Sequence, residues 1–186
     1  MNRKNLTYAT IAVVVIALIV GVALASRVPK AATNGPTESA KIKAGDAAPP
    51  FSVPTNGGTF DLAAVSTPVL LEVFATWCPH CQRETAVLND LAKRYAGKVA
   101  IVAVSGSPYG LDGSRPETQE DVNQFGAQYK VAYPIAFDQS LDVARKYLQK
   151  GYPTLVLIDA HKKIRWINDG EIPEADITKQ LNAVLK

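Results

Sequence analysis

A chain of 186 residues, 47% of them hydrophobic, can build one domain of ordinary size with its own core and still carry an appendage. Its formal charge of +3 belongs to the first 44 residues, which hold six Lys/Arg and one acid; the rest holds 14 basic and 16 acidic side chains, so the folded part lacks the basic footprint of a nucleic-acid binder. Two cysteines stand three apart with no others in the chain, which excludes a disulfide framework, and with only His80 and His161 as histidines a four-ligand zinc site lacks partners.

The first element in chain order is hydrophobic. Leu6 to Ala25 is a run of 20 uncharged residues, long enough to cross a bilayer, and Arg3 and Lys4 before it favour a cytoplasmic N-terminus. Ala23-Leu24-Ala25 also has the small-x-small form of a signal-peptidase site. Residues 1–25 are therefore read as a transmembrane anchor, with a cleaved signal peptide as the alternative. Either delivers the rest of the chain to the far side of the cytoplasmic membrane. Residues 26–44 are small, polar and unpatterned, as in a flexible linker.

From Gly45 the pattern becomes that of a folded domain, residues 45–186. Phe51–Val53 and Thr59–Leu62 flank Asn56-Gly57-Gly58, which predicts a hairpin. Val69–Ala75 and Lys98–Val104 are apolar runs of buried-strand length. Between them, Val87, Leu88, Leu91, Ala92 and Tyr95 recur at helical spacing, predicting a helix from Pro79 to Tyr95 that stops before Gly97. Residues 105–116 are turn-rich. Helices are expected over Glu117–Tyr129, Ser140–Lys150 and Ile172–Leu185. Strands are expected over Pro134–Phe137, Thr154–Ile158 and Ile164–Ile167. This alternation implies an α/β fold, a central mixed sheet with helices on both faces and a hairpin at its N-terminal end.

The chemistry concentrates where the first apolar strand meets the first helix, at Thr76-Trp77-Cys78-Pro79-His80-Cys81. A thiolate, not a thiol, attacks disulfides. The first turn of a helix has free N–H groups and the positive end of the dipole, and both favour negative charge on sulfur. Cys78 is thus expected at the cap and partly exposed, with Cys81 one turn on and more buried. Pro79 suits the first turn because it lacks an N–H that would go unpaired there. Strand, W-C-P-H-C, helix is a much narrower pattern than a bare C-x-x-C, and it points to a redox pair, Cys78 and Cys81 being the catalytic residues. Glu72 interrupts an apolar strand six residues earlier. If buried, its carboxyl is pushed towards the neutral form and suits proton transfer with Cys81; a strand-edge glutamate reaching water is the alternative. Trp77 is expected to cover one side of the pair, and His161 to sit exposed in a turn.

These stretches resemble a known family. Gly45-Asp46, Pro49-Pro50-Phe51, Leu71-Glu72-Val73-Phe74-Ala75-Thr76-Trp77-Cys78 and Gly151-Tyr152-Pro153-Thr154-Leu155-Val156-Leu157-Ile158-Asp159 are similar to those of the TlpA/ResA-like membrane-anchored thioredoxins, over about residues 45–186. The resemblance implies a thioredoxin-like fold with a central insertion at residues 105–132. It implies a cis bond before Pro153, facing the cysteines, and a substrate groove between Cys78 and the Tyr152–Pro153 bond, with Tyr152 offering backbone hydrogen bonds to a client. It also places Glu84, three residues after Cys81, as a residue that tunes the site; helix-dipole stabilisation is the plainer reading. It further implies thiol–disulfide exchange with cysteine-bearing client proteins, apo-cytochrome c or other exported proteins among them. A membrane or soluble electron partner is expected, and no cofactor beyond the Cys78–Cys81 disulfide. Two departures stand out. Pro-His between the cysteines resembles the spacer of the oxidase DsbA, so His80 is expected to stabilise the Cys78 thiolate. The potential then falls between about −270 mV for thioredoxin and about −120 mV for DsbA. Ala86 stands where relatives place a proline, leaving a helix kink in question.

Two other activities compete. A peroxidase of the same fold needs proline at Leu71 and Thr or Ser at Ala75, and has neither. A copper chaperone could use the same soft thiolates, although a dedicated copper site more often has C-x-x-x-C with a distant histidine.

Overall fold

The computed structural model describes residues 41–186. The expected anchor or signal at 1–25 and linker residues 26–40 lie outside the described residues. Among the described residues no helix is long and apolar enough to cross a membrane.

Seven strands form one sheet: β1 (Ser52–Thr55), β2 (Gly58–Asp61), β3 (Val69–Phe74), β4 (Ala100–Ser105), β5 (Ile135–Phe137), β6 (Thr154–Ile158) and β7 (Ile164–Asp169). Four helices accompany them: α1 (Pro79–Arg94), α2 (Gln119–Gln128), α3 (Asp142–Tyr147) and α4 (Glu174–Val184). The strand order is β2-β1-β5-β4-β3-β6-β7. β3, β4 and β5 run parallel, while β1 and β6 join them antiparallel and β2 and β7 close the edges antiparallel. This is the expected mixed sheet with its N-terminal hairpin.

Every residue of β3 is buried because the strand is central and covered on both faces. Alternation along it sorts the core in two. Leu70 and Phe74 face a layer built with Leu88 and Leu91 of α1, Val122 and Phe125 of α2, and Ile177 and Leu181 of α4. Val69, Leu71 and Val73 face the other layer, with Phe51, Phe60 and the α3 residues Val143 and Tyr147. Helices therefore lie on both faces. By the same alternation Glu72 projects into the layer that contains α1.

The boundaries differ from expectation where side chains intervene. α2 begins two residues late because Thr118 caps it. The Thr118 hydroxyl accepts from Asp121 N–H and the Asp121 carboxylate accepts from Thr118 N–H, a capping box. α3 spans six residues rather than the eleven of Ser140–Lys150. Leu141 is left-handed (φ 57°), Asp138 takes the N–H groups of Ser140 and Val143, and Leu148 turns extended so that Gln149 can donate to Thr154 Oγ1. β7 gains Asn168 and Asp169 by pairing with Leu155 and Thr154. α1 runs unbroken through Ala86. At the other end of the domain, residues 41–44 were expected in the linker. The Lys41 ammonium instead donates to the Leu148 carbonyl at 3.1 Å and Ile42 packs against the core. The inserted segment starts at Gly106, since Ser105 still pairs with Phe74 and Phe137.

Candidate active site

β3 ends at Phe74 and delivers Cys78 as the N-cap of α1, with extended backbone (φ −79°, ψ 117°) and Pro79 in the first turn. Both cysteines are free thiols. Cys81 is fully buried, as expected, but Cys78 is only 4% exposed, which corrects the expectation of partial exposure. What covers it is the turn before β6: the Cys78 thiol donates to the Tyr152 carbonyl at 3.7 Å. The Tyr152–Pro153 bond is cis. In this dithiol state the Tyr152 carbonyl expected to be open to a client thus has Cys78 as its partner.

The electrostatics separate the two sulfurs. The Cys78 thiol is lowered to about 6, first by the hydrogen bond from Cys81, then by the backbone N–H groups of Cys81 and His80, and last by the His80 imidazole; its burial works against these. Cys81 is pushed far up by burial, by its hydrogen bond to Cys78 and by the Glu72 charge. A chemically distinct pair results, with one sulfur ionised near neutral pH and the other held as a thiol. The expectation that His80 supports the thiolate therefore rests more on its backbone than on its ring. The ring is turned to Glu171, whose Oε2 lies 2.9 Å from His80 Nδ1.

Glu72 is 2% exposed, which discards the strand-edge alternative. Its Oε1 has no hydrogen-bond partner, and burial, then Glu84, then Cys78 raise its carboxyl well above the usual range. Glu84 is 1% exposed and raised to about 7 by burial, although its Oε2 accepts from Ile172 N–H at 3.4 Å. Its burial replaces the plainer reading of a carboxylate on the helix dipole. The Trp77 indole N–H donates to Ser107 Oγ at 2.8 Å, and its ring meets Tyr152 edge-on at 6.0 Å. His161 is exposed in its turn, as expected.

Five residues here have no sequence motif. Glu117 of the inserted segment is buried and accepts from Thr76 Oγ1 at 2.9 Å and Ser105 Oγ at 2.5 Å, with its carboxyl raised to about 7 by burial. Tyr133 is buried, and burial, then the nearby Glu72, raise its hydroxyl well above the usual range. Ser107, Arg83 and Glu171 complete the rim. Glu117 directly precedes Thr118, the residue that caps α2. A cleft of about 670 Å³ opens beside the pair, walled by His80, Glu84, Val87, Tyr152 and the segment from Gly170 to Glu174. It shares Tyr152 with the expected groove and adds the β7–α4 loop as a wall. Among the described residues no group of three or more His, Cys, Asp or Glu side chains is placed to hold a metal ion.

Comparison with known proteins fits this geometry. The model of the AhpC/TSA family matches residues 44–167. The chain is 30% identical over 143 residues to the thioredoxin-like protein YneN of Bacillus subtilis, covering 76% of this chain and 80% of the relative. It is 31% identical over 149 residues to the thiol-disulfide oxidoreductase ResA of Oceanobacillus iheyensis, covering 76% and 73%. Among solved structures it resembles a Chlorobium tepidum protein described as a thiol:disulfide interchange protein of DsbE type, with a TM-score of 0.69 and 28% identity over 78% of this chain and all of that one. StoA of Bacillus subtilis shares the fold at a TM-score of 0.60. This chain belongs to the AhpC/TSA family and is a thioredoxin-fold thiol–disulfide oxidoreductase.

Proposed function

We propose that Cys78 is the attacking sulfur and Cys81 the resolving one in exchange with cysteines of client proteins beyond the cytoplasmic membrane. One observation carries this: Cys78 caps α1 with its thiol lowered to about 6, against a buried Cys81 that stays protonated. In the reducing direction the Cys78 thiolate attacks a client disulfide and the client's second sulfur leaves as a thiolate. Cys81 then loses its proton and attacks Cys78, which releases the client dithiol and leaves the Cys78–Cys81 disulfide. Two electrons pass to the client and the steps reverse for oxidation. Glu72, on the same side of the sheet and electrostatically coupled to Cys81, is the group suited to take that proton when ionised, since burial makes its carboxylate a stronger base. The client docks in the cleft beside Tyr152, and the family resemblance makes an exported apo-cytochrome c or a folding secreted protein the fitting client class.

The assignment of roles is tested by trapping. Cys81→Ser, purified from cells under acid quench, should carry client proteins as mixed disulfides that dithiothreitol releases. Cys78→Ser should carry none. The opposite pattern would reverse the roles of the two sulfurs.

A further inference from the structure

Glu171 lies outside every motif, yet its carboxylate meets His80, one of the two residues between the cysteines. Its loop is tied at two points. Gly170 N–H donates to the Pro153 carbonyl at 2.7 Å, and Ile172 N–H to Glu84 Oε2 at 3.4 Å. These contacts hold Glu171 between the turn before β6 and α1. Its oxygens then accept Arg83 Nε at 3.0 and 3.1 Å, and Oε2 accepts Arg83 Nη2 at 2.6 Å. The same Oε2 is 2.9 Å from His80 Nδ1, and Arg83 Nη2 is 2.7 Å from that nitrogen. The three side chains meet at His80 Nδ1, which donates to Glu171 Oε2 when it carries its proton and accepts from Arg83 Nη2 when it does not. The hydrogen bond of the Cys78 thiol goes to Tyr152 instead, and none of the contacts among the described residues joins the His80 ring to that sulfur.

We propose that Glu171, locked by Arg83, is a positioning residue that holds the His80 imidazole off the Cys78 sulfur and so keeps the Cys78–Cys81 couple more reducing than its Pro-His spacer alone would make it. This rests on the reading of Cys78 as the attacking thiol. A donor or positive charge on the thiolate stabilises the dithiol and makes the disulfide a stronger oxidant. Glu171 works against that in two ways: it captures the ring, and it adds a negative charge nearby. The Arg83 and His80 bonds hold its carboxyl down at about 2, so this charge persists at any working pH. All three side chains are partly exposed, at 54%, 59% and 36% for Arg83, His80 and Glu171, so solvent keeps the effect modest.

The test is equilibration with glutathione, in which protein dithiol and oxidised glutathione give protein disulfide and two reduced glutathiones. Glu171→Gln should shift this equilibrium roughly three- to tenfold towards the protein dithiol, a potential less negative by about 15–30 mV. It should also lower the Cys78 titration seen by thiolate absorbance. In a His80→Ala background the same substitution should shift the equilibrium less than about twofold. A merely structural role for Glu171 moves neither readout. An unshifted or more reducing Glu171→Gln, or an equal shift without His80, overturns this inference while wild-type exchange still stands. A wild-type chain that does not exchange with glutathione overturns the exchange reading and this inference with it.

Discussion

Glu84 and Glu72 give the active-site layer of the core a pH dependence whose sign is fixed. A carboxyl whose folded value lies above its unfolded one stabilises the fold fully below the unfolded value and loses that contribution as pH rises through the folded value. Glu84 goes from an ordinary 4.5 to about 7, with burial as the main cause. Unfolding free energy should therefore fall between about pH 4.5 and about pH 7, by about 2–3 kcal/mol from this residue. Glu72 and Glu117 are raised too and push the same way. Glu84→Gln removes one of these titrations, so its urea-unfolding free energy should fall less between about pH 5 and about pH 8 than the wild type's. An equal fall in both proteins would mean that Glu84 is ionised in the fold at no cost. At this scale the sequence was informative when a residue broke a pattern. Glu72 interrupts an apolar run and the W-C-P-H-C segment sits at a strand–helix junction, so both were legible. Glu171 and Glu117 break nothing in their surroundings, and only the fold brings them to the cysteines, 93 and 39 residues from Cys78.

The inserted segment shows how an element far from the motif shapes the site. After β4 the chain turns at Gly106, whose N–H donates to the Phe74 carbonyl and whose own carbonyl accepts the Tyr152 hydroxyl at 2.6 Å. Ser107 then takes the Trp77 indole and Glu117 takes Thr76, so one stretch of loop braces the two residues that lead into Cys78. The turn works only because position 106 has no side chain. A Cβ there would stand 2.7 Å from Val73 Cγ1 and 2.8 Å from Ala144 Cβ, with β3 on one side and α3 on the other. Gly106→Ala should cost about 1–3 kcal/mol in denaturant unfolding, the usual penalty of overpacking a tight core. It should also slow client exchange, since Tyr152 loses its seat. Unchanged stability would mean that α3 moves aside freely. Periodicity located the helices and strands, but not this turn. A glycine in a turn-rich segment reads as a loop residue, and what makes it indispensable is a close approach between β3 and α3 that spacing cannot express. α3 itself was overextended for a related reason: apolar and charged residues continue to Lys150, while Leu148 is drawn out of the helix towards the turn that carries Tyr152.

At the scale of the molecule, the sheet divides labour between its faces and its ends. The α1–α2–α4 layer carries the cysteines and receives Glu72 and Glu84, while the hairpin and α3 close the opposite layer. The cysteines sit at the end of the sheet where β3 runs out, beside the cleft. How such a domain finds clients depends on the segment that precedes it. We propose that the 20-residue run from Leu6 to Ala25, long enough to span a bilayer, stays there as an anchor, with Arg3 and Lys4 favouring a start on the inner side. As a flexible chain, the 19 residues of 26–44 would span roughly 25 Å, a reach that the packing of Lys41 and Ile42 would shorten slightly. On that proposal the tether would hold the cysteines within reach of clients as they emerge from the membrane, and would raise their effective concentration without any further contact. The full chain should therefore stay with membranes through alkaline extraction. Protease added to the outer side should remove the cysteine-bearing domain while a short N-terminal fragment remains protected. A soluble mature chain beginning at Ser26 would instead establish cleavage after Ala25. Encounter with clients would then be governed by free diffusion, and the reach of the linker would play no part in choosing them.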